Sequence, residues 1–439
     1  MIPEGFREFI AKSLGEEEAG RLIEALGGEP PVSVRVNPSK IAADALREHF
    51  GKLAAEPVEW SPEAFYLNER PSFTLDPLFH AGGYYVQEAS SMYVGKILRG
   101  IICETSGPFR LLDLCAAPGG KSTDAASALR DGDLLVANEV IGSRASVLAA
   151  NMARWGFPGT IVTNSDPVEF GKLKGFFDIL IVDAPCSGEG MFRKDSEAAQ
   201  EWSEDNVALC AARQKRILAD AWPCLRAGGH IIYSTCTFNR FEDEENAGWI
   251  ASGLGGELLE QRHFLPGRDK GEGFYCALLR KEGDEPHTAI PRAAVKPLSS
   301  PAAEFVAGGC LLMQKGDIIK ALPEALAGAA AYLESRLHVI RSGVAVAQVK
   351  GRDLIPEADL ALSTLLRRGA FPEAALDRDT ALRFLAREPF ALPGMPKGFI
   401  LVTYKGLPLG FVKNLGNRCN NLLPASRRIR MDIKNADKL

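Results

Sequence analysis

Apolar and polar residues alternate in two different ways along the chain, and the pattern changes near residue 110. Before that point, helical stretches are mixed with short strand-like runs such as Val32–Val36, and Pro and polar residues separate them. From Arg110 to Leu279, short apolar runs alternate with segments long enough to form helices. The runs that this pattern predicts as strands are Leu111–Leu114, Leu134–Ala137, Thr160–Thr163, Ile179–Val182 and His230–Ser234.

These short runs are apolar on both faces, and helix-length segments separate them. One such segment is Val207–Leu225, in which apolar residues recur at helical spacing. The combination favours a parallel sheet that is covered by helices on both sides, which is an α/β fold. Phe274–Leu279 is expected to supply a late edge strand.

A chain of 439 residues is too long for one ordinary core, so two or three domains are expected. The stretch from Arg280 to Pro301 is rich in charged residues and Pro, as linkers are, and the residues beyond it mix helices with short strands such as Val344–Val349 and Gly398–Tyr404. The predicted division is a small α+β domain over residues 1–82, an α/β core over 83–282, a linker over 283–300 and a C-terminal region over 301–439.

The composition is that of a globular protein without a membrane segment. Apolar residues make up 46% of the chain and charged residues 24%, and no apolar run approaches the roughly 20 residues that span a bilayer. The first residues predict an amphipathic helix with acids as well as bases, unlike a signal peptide. We therefore expect a cytoplasmic protein.

Charge is distributed unevenly. The formal net charge of −5 argues against a protein that simply coats nucleic acid. Between Phe411 and Leu439, however, seven bases stand against two acids, Asp432 and Asp437. This segment fits either a surface that contacts phosphates or a solvated basic tail. The seven bases are Lys413, Arg418, Arg427, Arg428, Arg430, Lys434 and Lys438.

A glycine turn follows the first predicted strand. Gly119 and Gly120 allow the backbone to approach a ligand closely, and the helix that follows favours an anionic group at its start. A phosphate-binding P-loop would need Gly at the position of Cys115, and the turn also lacks the GxGxxG of a dinucleotide site. The next two strands are followed by Glu139 and Asp166, which are placed to bind ribose hydroxyls and an adenine amino group. Together they favour an adenosine cofactor, although either acid alone is an ordinary polar residue at a strand end.

Two of the nine cysteines follow predicted strand ends on the same edge as the glycine turn. Cys186 lies in Asp183-Ala-Pro-Cys-Ser-Gly, and Cys236 lies in Ser-Thr-Cys-Thr. The cysteines show no CxxC pairs and no Cys/His spacing of a zinc site, so we expect no metal. A buried structural thiol is the ordinary interpretation of one cysteine, but it does not explain two polar-flanked thiols at one edge. Spacing alone does not decide which of the two would be a nucleophile.

The glycine turn, the Asp-Ala-Pro-Cys-Ser-Gly block and the Ser-Thr-Cys-Thr block together resemble the RsmB/RsmF (sun/nucleolar protein) family of RNA cytosine-5 methyltransferases. The resemblance extends upstream to residues 34–40 and 83–91, and it covers about residues 30–280. With about 140 residues after the linker, the chain is most similar to the bacterial RsmF-type 16S rRNA methyltransferases, which carry a C-terminal PUA-like domain. The acids and Asn of residues 242–246 also follow the nucleophile block as they do in this family, although first-turn acids at a helix start would explain them equally.

The resemblance implies a Rossmann-like methyltransferase core that uses S-adenosylmethionine, an RRM-like N-terminal domain and a C-terminal RNA-binding region. It implies that Cys236 is the nucleophile and that Cys186 assists release of the methylated base, whereas DNA cytosine-5 methyltransferases attack with the Pro-Cys position. Asp183 would hold the target base. The residues that it places around the cofactor are Cys115, Ala116, Ala117, Pro118, Gly119, Gly120, Lys121, Glu139, Asp166 and Asp183.

The expected reaction is methylation of carbon 5 of a cytosine in RNA, most simply in 16S rRNA or the small ribosomal subunit. Carbon 5 is a poor nucleophile, and addition of a thiolate to carbon 6 activates it. Methylation of tRNA is an alternative with the same chemistry. A ribosome-assembly factor that binds the cofactor without turnover is an alternative of another class. We expect a monomer without membrane partners.

Overall fold

The computed structural model of the chain describes residues 2–284, 287–290 and 296–433. Residues 285, 286 and 291–295 of the predicted linker lie outside the described residues, as do Lys434, Asp437 and Lys438 of the basic C-terminal segment. Over the described ranges, the length and apolar character of every helix fall short of what crossing a bilayer requires.

The helices are α1 (Phe6–Leu14), α2 (Glu16–Leu26), α3 (Ala43–Phe50), α4 (Pro77–His80), α5 (Tyr93–Glu104), α6 (Gly120–Ala128), α7 (Gly142–Trp155), α8 (Pro167–Gly171), α9 (Ser196–Glu201), α10 (Glu204–Ala221), α11 (Glu244–Leu254), α12 (Ala327–Glu334), α13 (Ala358–Leu362) and α14 (Arg378–Ala386). The strands are β1 (Val32–Val36), β2 (Ala54–Val58), β3 (Ser61–Leu67), β4 (Tyr84–Val86), β5 (Arg110–Asp113), β6 (Leu134–Asn138), β7 (Thr160–Thr163), β8 (Phe177–Asp183), β9 (Leu225–Thr235), β10 (Gly256–Phe264), β11 (Phe274–Lys281), β12 (Cys310–Lys315), β13 (Ile318–Pro323), β14 (Val339–Ser342), β15 (Val344–Lys350), β16 (Asp353–Pro356), β17 (Glu373–Ala375), β18 (Gly398–Tyr404), β19 (Leu407–Asn414) and β20 (Cys419–Asn421).

The central sheet has the strand order β10-β11-β9-β8-β5-β6-β7-β14. Its five middle strands are parallel, as the apolar runs predicted. Consecutive residues of β5 enter opposite cores, because Leu111 and Leu112 pack into separate buried clusters on the two faces of the sheet. Both faces are therefore covered, and the carboxyl ends of β5, β6, β8 and β9 meet along one edge, where ligands bind in such sheets.

Two details of the sequence prediction are wrong. β11 is not the edge strand, because it pairs with β9 on one side and with β10 on the other. Most residues of β10 are exposed, and five of its nine, including Glu257, Glu260 and Arg262, are polar, so its sequence lacked the signal of a buried strand. The helix expected to reach Leu225 ends at Ala221, where Pro223 follows and the chain turns into β9.

The N-terminal and C-terminal regions share one hydrophobic core. The sheet β2-β3-β1-β4 and the sheet β17-β18-β19-β20 both bury apolar side chains in it, for example Val34 and Phe65 from the first and Ile400 and Val412 from the second. A third four-stranded sheet, β12-β13-β15-β16, packs beside the second. β14 instead joins the central sheet by antiparallel pairing with β7. The division of the chain at residues 82, 282 and 300 stays a prediction from the sequence.

Candidate functional site

Two adjoining cavities open at the carboxyl edge of the central sheet. The first, of about 430 Å³, is lined by Lys121 and by residues of the segment after β4, and we call it the Lys121 cavity. The second, of about 570 Å³, is lined by Glu139 and Asp166 among others, and we call it the Glu139 cavity. The residues that line both are Cys115, Ala117, Asp183, Met191 and Cys236. One wall of the site therefore faces two chambers, as expected for an enzyme that brings two ligands together.

The two cysteines singled out in the sequence are in contact. Cys186 and Cys236 are free thiols, and their Sγ atoms lie 2.9 Å apart. The pKa of Cys186 is raised well above its ordinary value, first by its hydrogen bond with Cys236 and then by burial. The two thiols form one hydrogen bond, in which either sulfur can be the donor. The contact brings the two predicted thiols together, and the assignment of Cys236 as the nucleophile rests on the family resemblance.

Asp183 forms an ion pair with Lys121 across the wall shared by the two cavities. Lys121 Nζ lies 2.8 Å from Asp183 Oδ2, and Ser234 Oγ donates to Asp183 Oδ1 at 2.9 Å. Burial lowers the pKa of Lys121, but the charge of Asp183 and its hydrogen bond outweigh burial, so this pKa is raised overall. The site thus contains a charged donor and a charged acceptor within reach of Cys236.

The glycine turn connects β5 to α6 as the sequence predicted. Gly119 has a φ of +114° and immediately precedes α6, a backbone conformation that favours glycine. A Cβ atom at Gly119 would point toward Leu148 of α7, so this residue shapes the turn without lining either cavity. The other residues of the turn that line the cavities are Cys115, Ala116, Ala117, Pro118, Gly120 and Lys121.

Glu139 and Asp166 both line the Glu139 cavity. Glu139 accepts a hydrogen bond from the backbone N–H of Ile141 at 2.9 Å and pairs with Arg144 at 3.2 Å. Asp166 accepts from the backbone N–H of Val168 at 3.1 Å, at the start of α8. These contacts hold both carboxylates at the ends of β6 and β7, which is the arrangement expected for an adenosine site.

Asp113 is a site residue that the sequence analysis missed. It ends β5, is fully buried and lines the Lys121 cavity. Its Oδ2 accepts a hydrogen bond from Ser122, whereas its Oδ1 has no partner among the described residues. A buried carboxylate oxygen without a partner fits a cation, and S-adenosylmethionine carries a sulfonium and an ammonium group. The residues around the turn therefore fit this cofactor, and an acid at the end of the first strand was the available signal.

We predict that affinity for S-adenosylmethionine rises with pH near neutrality. Burial raises the pKa of Asp113 to about 7, and only the ionised carboxylate attracts a cation. The affinity should therefore increase as the pH rises through about 7 and level off above it. Isothermal titration calorimetry between pH 5.5 and 8.5 would measure this, and Asp113→Asn should flatten the profile. A wild-type profile as flat as that of the Asn variant would contradict the prediction.

A buried network of polar side chains holds the two cysteine loops. Glu242 is fully buried and accepts hydrogen bonds from Ser187 N at 3.0 Å, Gln214 Nε2 at 2.7 Å and Asn239 Nδ2 at 3.0 Å. Because Ser187 follows Cys186 and Asn239 follows Cys236, Glu242 joins the two cysteine loops. It precedes α11 and does not lie in the first turn of that helix. Glu189, which the sequence analysis did not consider, accepts from the backbone N–H of Phe238 at 2.8 Å.

Of the other acids in the segment 242–246, Glu244 and Glu245 lie in the first turn of α11, and Asp243 precedes the helix. Asn246 donates to Gln214 Oε1 at 2.6 Å and is also fully buried. The helix-start interpretation therefore fits only two of these residues. The run of acids directly after the nucleophile block was the sequence signal for the network.

The first upstream motif supports the site from outside, and the second lines it. Arg35 is buried, donates to Thr123 Oγ1 at 2.7 Å and packs on the ring of Trp155 at 4.7 Å. Lys40 donates to the carbonyls of Ala81 and Arg154. The second motif, residues 83–91, contributes directly to the Lys121 cavity, and its lining residues are Tyr85, Val86, Gln87, Glu88 and Ser91.

The basic C-terminal segment is only partly available to a ligand. Arg418, Arg428 and Arg430 are exposed. Arg427 instead pairs with Asp359, and Lys413 lies 5.3 Å from the ring of Phe399. Exposed arginines near the end of the described chain are compatible with phosphate contacts.

Comparisons with known families cover most of the chain. The family 16S rRNA methyltransferase RsmB/F matches residues 104–255. The N-terminal domain of 16S rRNA methyltransferase RsmF matches residues 2–89, and the methyltransferase RsmF PUA domain matches residues 371–429. The predicted order of a Rossmann-like methyltransferase core followed by a PUA-like region is confirmed.

Individual proteins give the same result. Ribosomal RNA small subunit methyltransferase F of Pectobacterium atrosepticum is 32% identical over 441 residues, which cover 89% of this chain and 88% of the relative. The protein of the same name from Shewanella loihica is 32% identical over 436 residues, with the same coverage.

Solved structures show the same fold. A methyltransferase homolog protein from Pyrococcus horikoshii is 29% identical, with a TM-score of 0.55 and coverage of 63% of this chain and 94% of that one. NSun6 from Pyrococcus horikoshii, solved with SFG, is 20% identical with a TM-score of 0.56, and it covers 64% of this chain and 99% of its own. At this lower identity the likeness shows the fold alone. Since alignments with relatives that are 32% identical cover 89% of its length, the chain belongs to the RsmB/F family of 16S rRNA methyltransferases, in its RsmF group.

Proposed function

We propose that this protein methylates carbon 5 of a cytosine in 16S ribosomal RNA, with S-adenosylmethionine as methyl donor and Cys236 as nucleophile. The observation that carries the proposal is the contact between Cys186 and Cys236 at the wall shared by the two cavities. The names of the relatives, which are small-subunit ribosomal RNA methyltransferases, support the choice of RNA.

The chemistry explains why a thiol is needed. Carbon 5 of cytosine does not attack a methyl group on its own, but addition of the Cys236 thiolate to carbon 6 converts the ring into an enamine. Bound S-adenosylmethionine supplies the electrophilic methyl group. Asp113, Glu139 and Asp166 would hold it, together with the turn over residues 115–121. The target nucleotide must leave its stack to reach such an enclosed site.

Cys186 is proposed to act after methyl transfer. The chief cause of its raised pKa is the hydrogen bond with Cys236. Once the Cys236 sulfur is bonded to carbon 6, it is no longer a strong acceptor, so Cys186 loses its proton to solvent water more readily. The Cys186 thiolate can then take the proton from carbon 5, which restores the ring double bond and expels Cys236.

Asp183 and Lys121 are proposed to fix the base. Asp183 Oδ1 and Oδ2 can accept from the exocyclic amine of cytosine or from a protonated ring nitrogen, while Lys121 Nζ holds Oδ2 in place from 2.8 Å. Holding the ring in register with the Cys236 sulfur converts a bimolecular addition into a step within one complex. The PUA region and the exposed arginines near the C-terminus would bind the RNA backbone.

The product identifies the function. Purified protein, methyl-labelled S-adenosylmethionine and 16S rRNA, either free or in small ribosomal subunits, should give labelled 5-methylcytidine after digestion to nucleosides. Transfer RNA is the matched control substrate. Label in tRNA but not in rRNA would favour the tRNA alternative, and cofactor binding without label in any RNA would favour an assembly factor without turnover. Label in a nucleoside other than 5-methylcytidine would refute the proposed chemistry.

A further inference from the structure

The threonines on either side of Cys236 share one acceptor. Thr237 Oγ1 donates to Asp243 Oδ1 at 2.9 Å, and Thr235 Oγ1 donates to the same oxygen. The two hydroxyl oxygens lie 2.7 Å from each other. Both threonines and Asp243 are fully buried. One carboxylate oxygen of Asp243 therefore accepts from the hydroxyl groups of both residues that flank the proposed nucleophile.

His263 of β10 lies against the same carboxylate. Its Nε2 is 3.2 Å from the carbonyl oxygen of Thr237 and 3.4 Å from Asp243 Oδ2, and its Nδ1 is 3.2 Å from Glu244 Oε1. A carbonyl oxygen only accepts hydrogen bonds, and so does an ionised carboxylate. Both ring nitrogens are thus best satisfied when each carries a proton, which makes the ring an imidazolium. Neither nitrogen then offers a lone pair to a metal ion, although the three side chains lie close together.

The electrostatic surroundings agree with this geometry. Burial lowers the pKa of His263, but its hydrogen bond with Glu244 and the charges of Asp243 and Glu244 raise it overall. Burial raises the pKa of Asp243 well above its ordinary value, and the charge of His263 acts against that rise. The other titratable groups nearby are Glu242, whose charge also raises the pKa of Asp243, and Tyr275 of β11, whose ring is 5.6 Å from that of His263.

We propose that Asp243 and His263 are positioning residues for the nucleophile, and that they hold the Thr235-Cys236-Thr237 segment so that the Cys236 sulfur faces the target base. The proposal rests on the proposed function of Cys236. The charge of His263 favours the ionised form of Asp243 against the effect of burial, and Oδ1 of this carboxyl group accepts from both threonines at once. Hydrogen bonds are directional, so they fix the backbone at Cys236 more tightly than apolar packing would.

The opposite side of Cys236 is fixed by a separate contact, because its carbonyl oxygen accepts from the backbone N–H of Gly190 at 2.8 Å. A Cβ atom at Gly190 would lie 2.8 Å from that oxygen, so only glycine allows this approach. Cys236 is therefore held from both sides, by the backbone of Gly190 and by the side chain of Asp243.

Three variants test the threonine and aspartate contacts. Thr237→Val keeps the shape and removes one hydroxyl, Asp243→Ala removes the acceptor, and Asp243→Asn keeps an acceptor oxygen without the charge. Displacing a reacting atom by about 1 Å costs on the order of 100-fold in rate. We therefore expect kcat to fall about tenfold in Thr237→Val and about 100-fold in Asp243→Ala, with partial recovery in Asp243→Asn. The KM for RNA and the Kd for S-adenosylmethionine should remain unchanged.

The matched control is Thr160→Val. Thr160 is a fully buried threonine on β7 of the central sheet, and its hydroxyl has no partner among the described residues. It should keep the wild-type kcat. If Thr237→Val and Asp243→Asn kept the wild-type kcat and lost only thermal stability, the contacts would be structural and the proposal overturned.

The role of His263 has its own readout. His263→Gln keeps a donor but cannot be charged. Since the charge of His263 is present only below its raised pKa, the ratio of wild-type kcat to the kcat of His263→Gln should be largest at low pH. It should decline toward one as the pH rises through that pKa, and the ratio cancels the titration of thiols that both proteins share. A ratio independent of pH would refute the role of His263.

Failure of this inference is distinguishable from failure of the proposed function. If wild-type protein forms no 5-methylcytidine, or if Cys236→Ala remains active, the proposed function itself is wrong. If Cys236 is essential and these variants turn over normally, only the positioning role is wrong.

Discussion

Cys236→Ala is expected to reduce methyl transfer to the background of the assay while leaving the affinity for S-adenosylmethionine unchanged. Without the sulfur at position 236, no thiolate adds to carbon 6, so carbon 5 of the target cytosine is not activated. The Cys236 side chain lines both cavities, but it is not among the residues proposed to hold the cofactor. Single-turnover transfer of labelled methyl groups and calorimetric cofactor binding would measure the two effects separately.

Cys103→Ala is the matched control for this variant. Cys103 is an exposed free thiol on α5, away from both cavities. It should keep full activity. Substantial activity in Cys236→Ala, together with loss of activity in Cys186→Ala, would mean that the roles of the two thiols are exchanged.

Cys186→Ala is expected to accumulate protein that is covalently bonded to RNA. Addition of Cys236 and methyl transfer need no thiol at position 186, whereas expulsion of Cys236 needs a base near carbon 5. The two sulfur atoms lie 2.9 Å apart. When Cys236 is bonded to carbon 6, the Cys186 sulfur is therefore close to the neighbouring carbon 5. Removing it should stop turnover after one event and leave the thioether bond intact. The adduct should migrate slowly on a denaturing gel and contain both labelled methyl groups and RNA.

The double variant Cys186→Ala/Cys236→Ala should form no such adduct, because the bond is formed by Cys236. Normal turnover by Cys186→Ala without a slow band would remove the release role and point to water as the base. An adduct that persists in the double variant would point to another nucleophile.

The sequence predicted the central sheet well because its strands are buried on both faces. A short run such as Thr160–Thr163 between helix-length segments is typical of a buried strand in an α/β core, and its bounds in the structure are the same. β10 was missed for the opposite reason, since a half-exposed strand with polar residues resembles a loop. The shared location of the strand-end residues Glu139, Asp166, Asp183, Cys186 and Cys236 is predicted by topology, because parallel strands end at one edge.

The supporting residues could not be predicted from the sequence in the same way. The acid of Asp113 at a strand end was visible in the sequence, but its importance depends on an oxygen that has no partner among the described residues. Glu189 and His263 reach the nucleophile loop from 47 positions before and 27 positions after Cys236, as their hydrogen bonds with Phe238 and Thr237 show. Such contacts depend on the packed fold, and no spacing rule announces them.

The strand β14 has a consequence for how this chain can be divided. It comes from beyond the predicted linker, yet it covers the outer side of β7, which would otherwise be the edge of the central sheet. A fragment that ended near residue 282 would leave the backbone N–H and C=O groups of β7 open to pairing with other molecules. It would also uncover the apolar residues against which Leu326 and Leu333 pack. Such a fragment is expected to aggregate, so a loss of RNA binding on truncation would be uninterpretable, and substitutions at exposed arginines are the sound way to separate binding from catalysis.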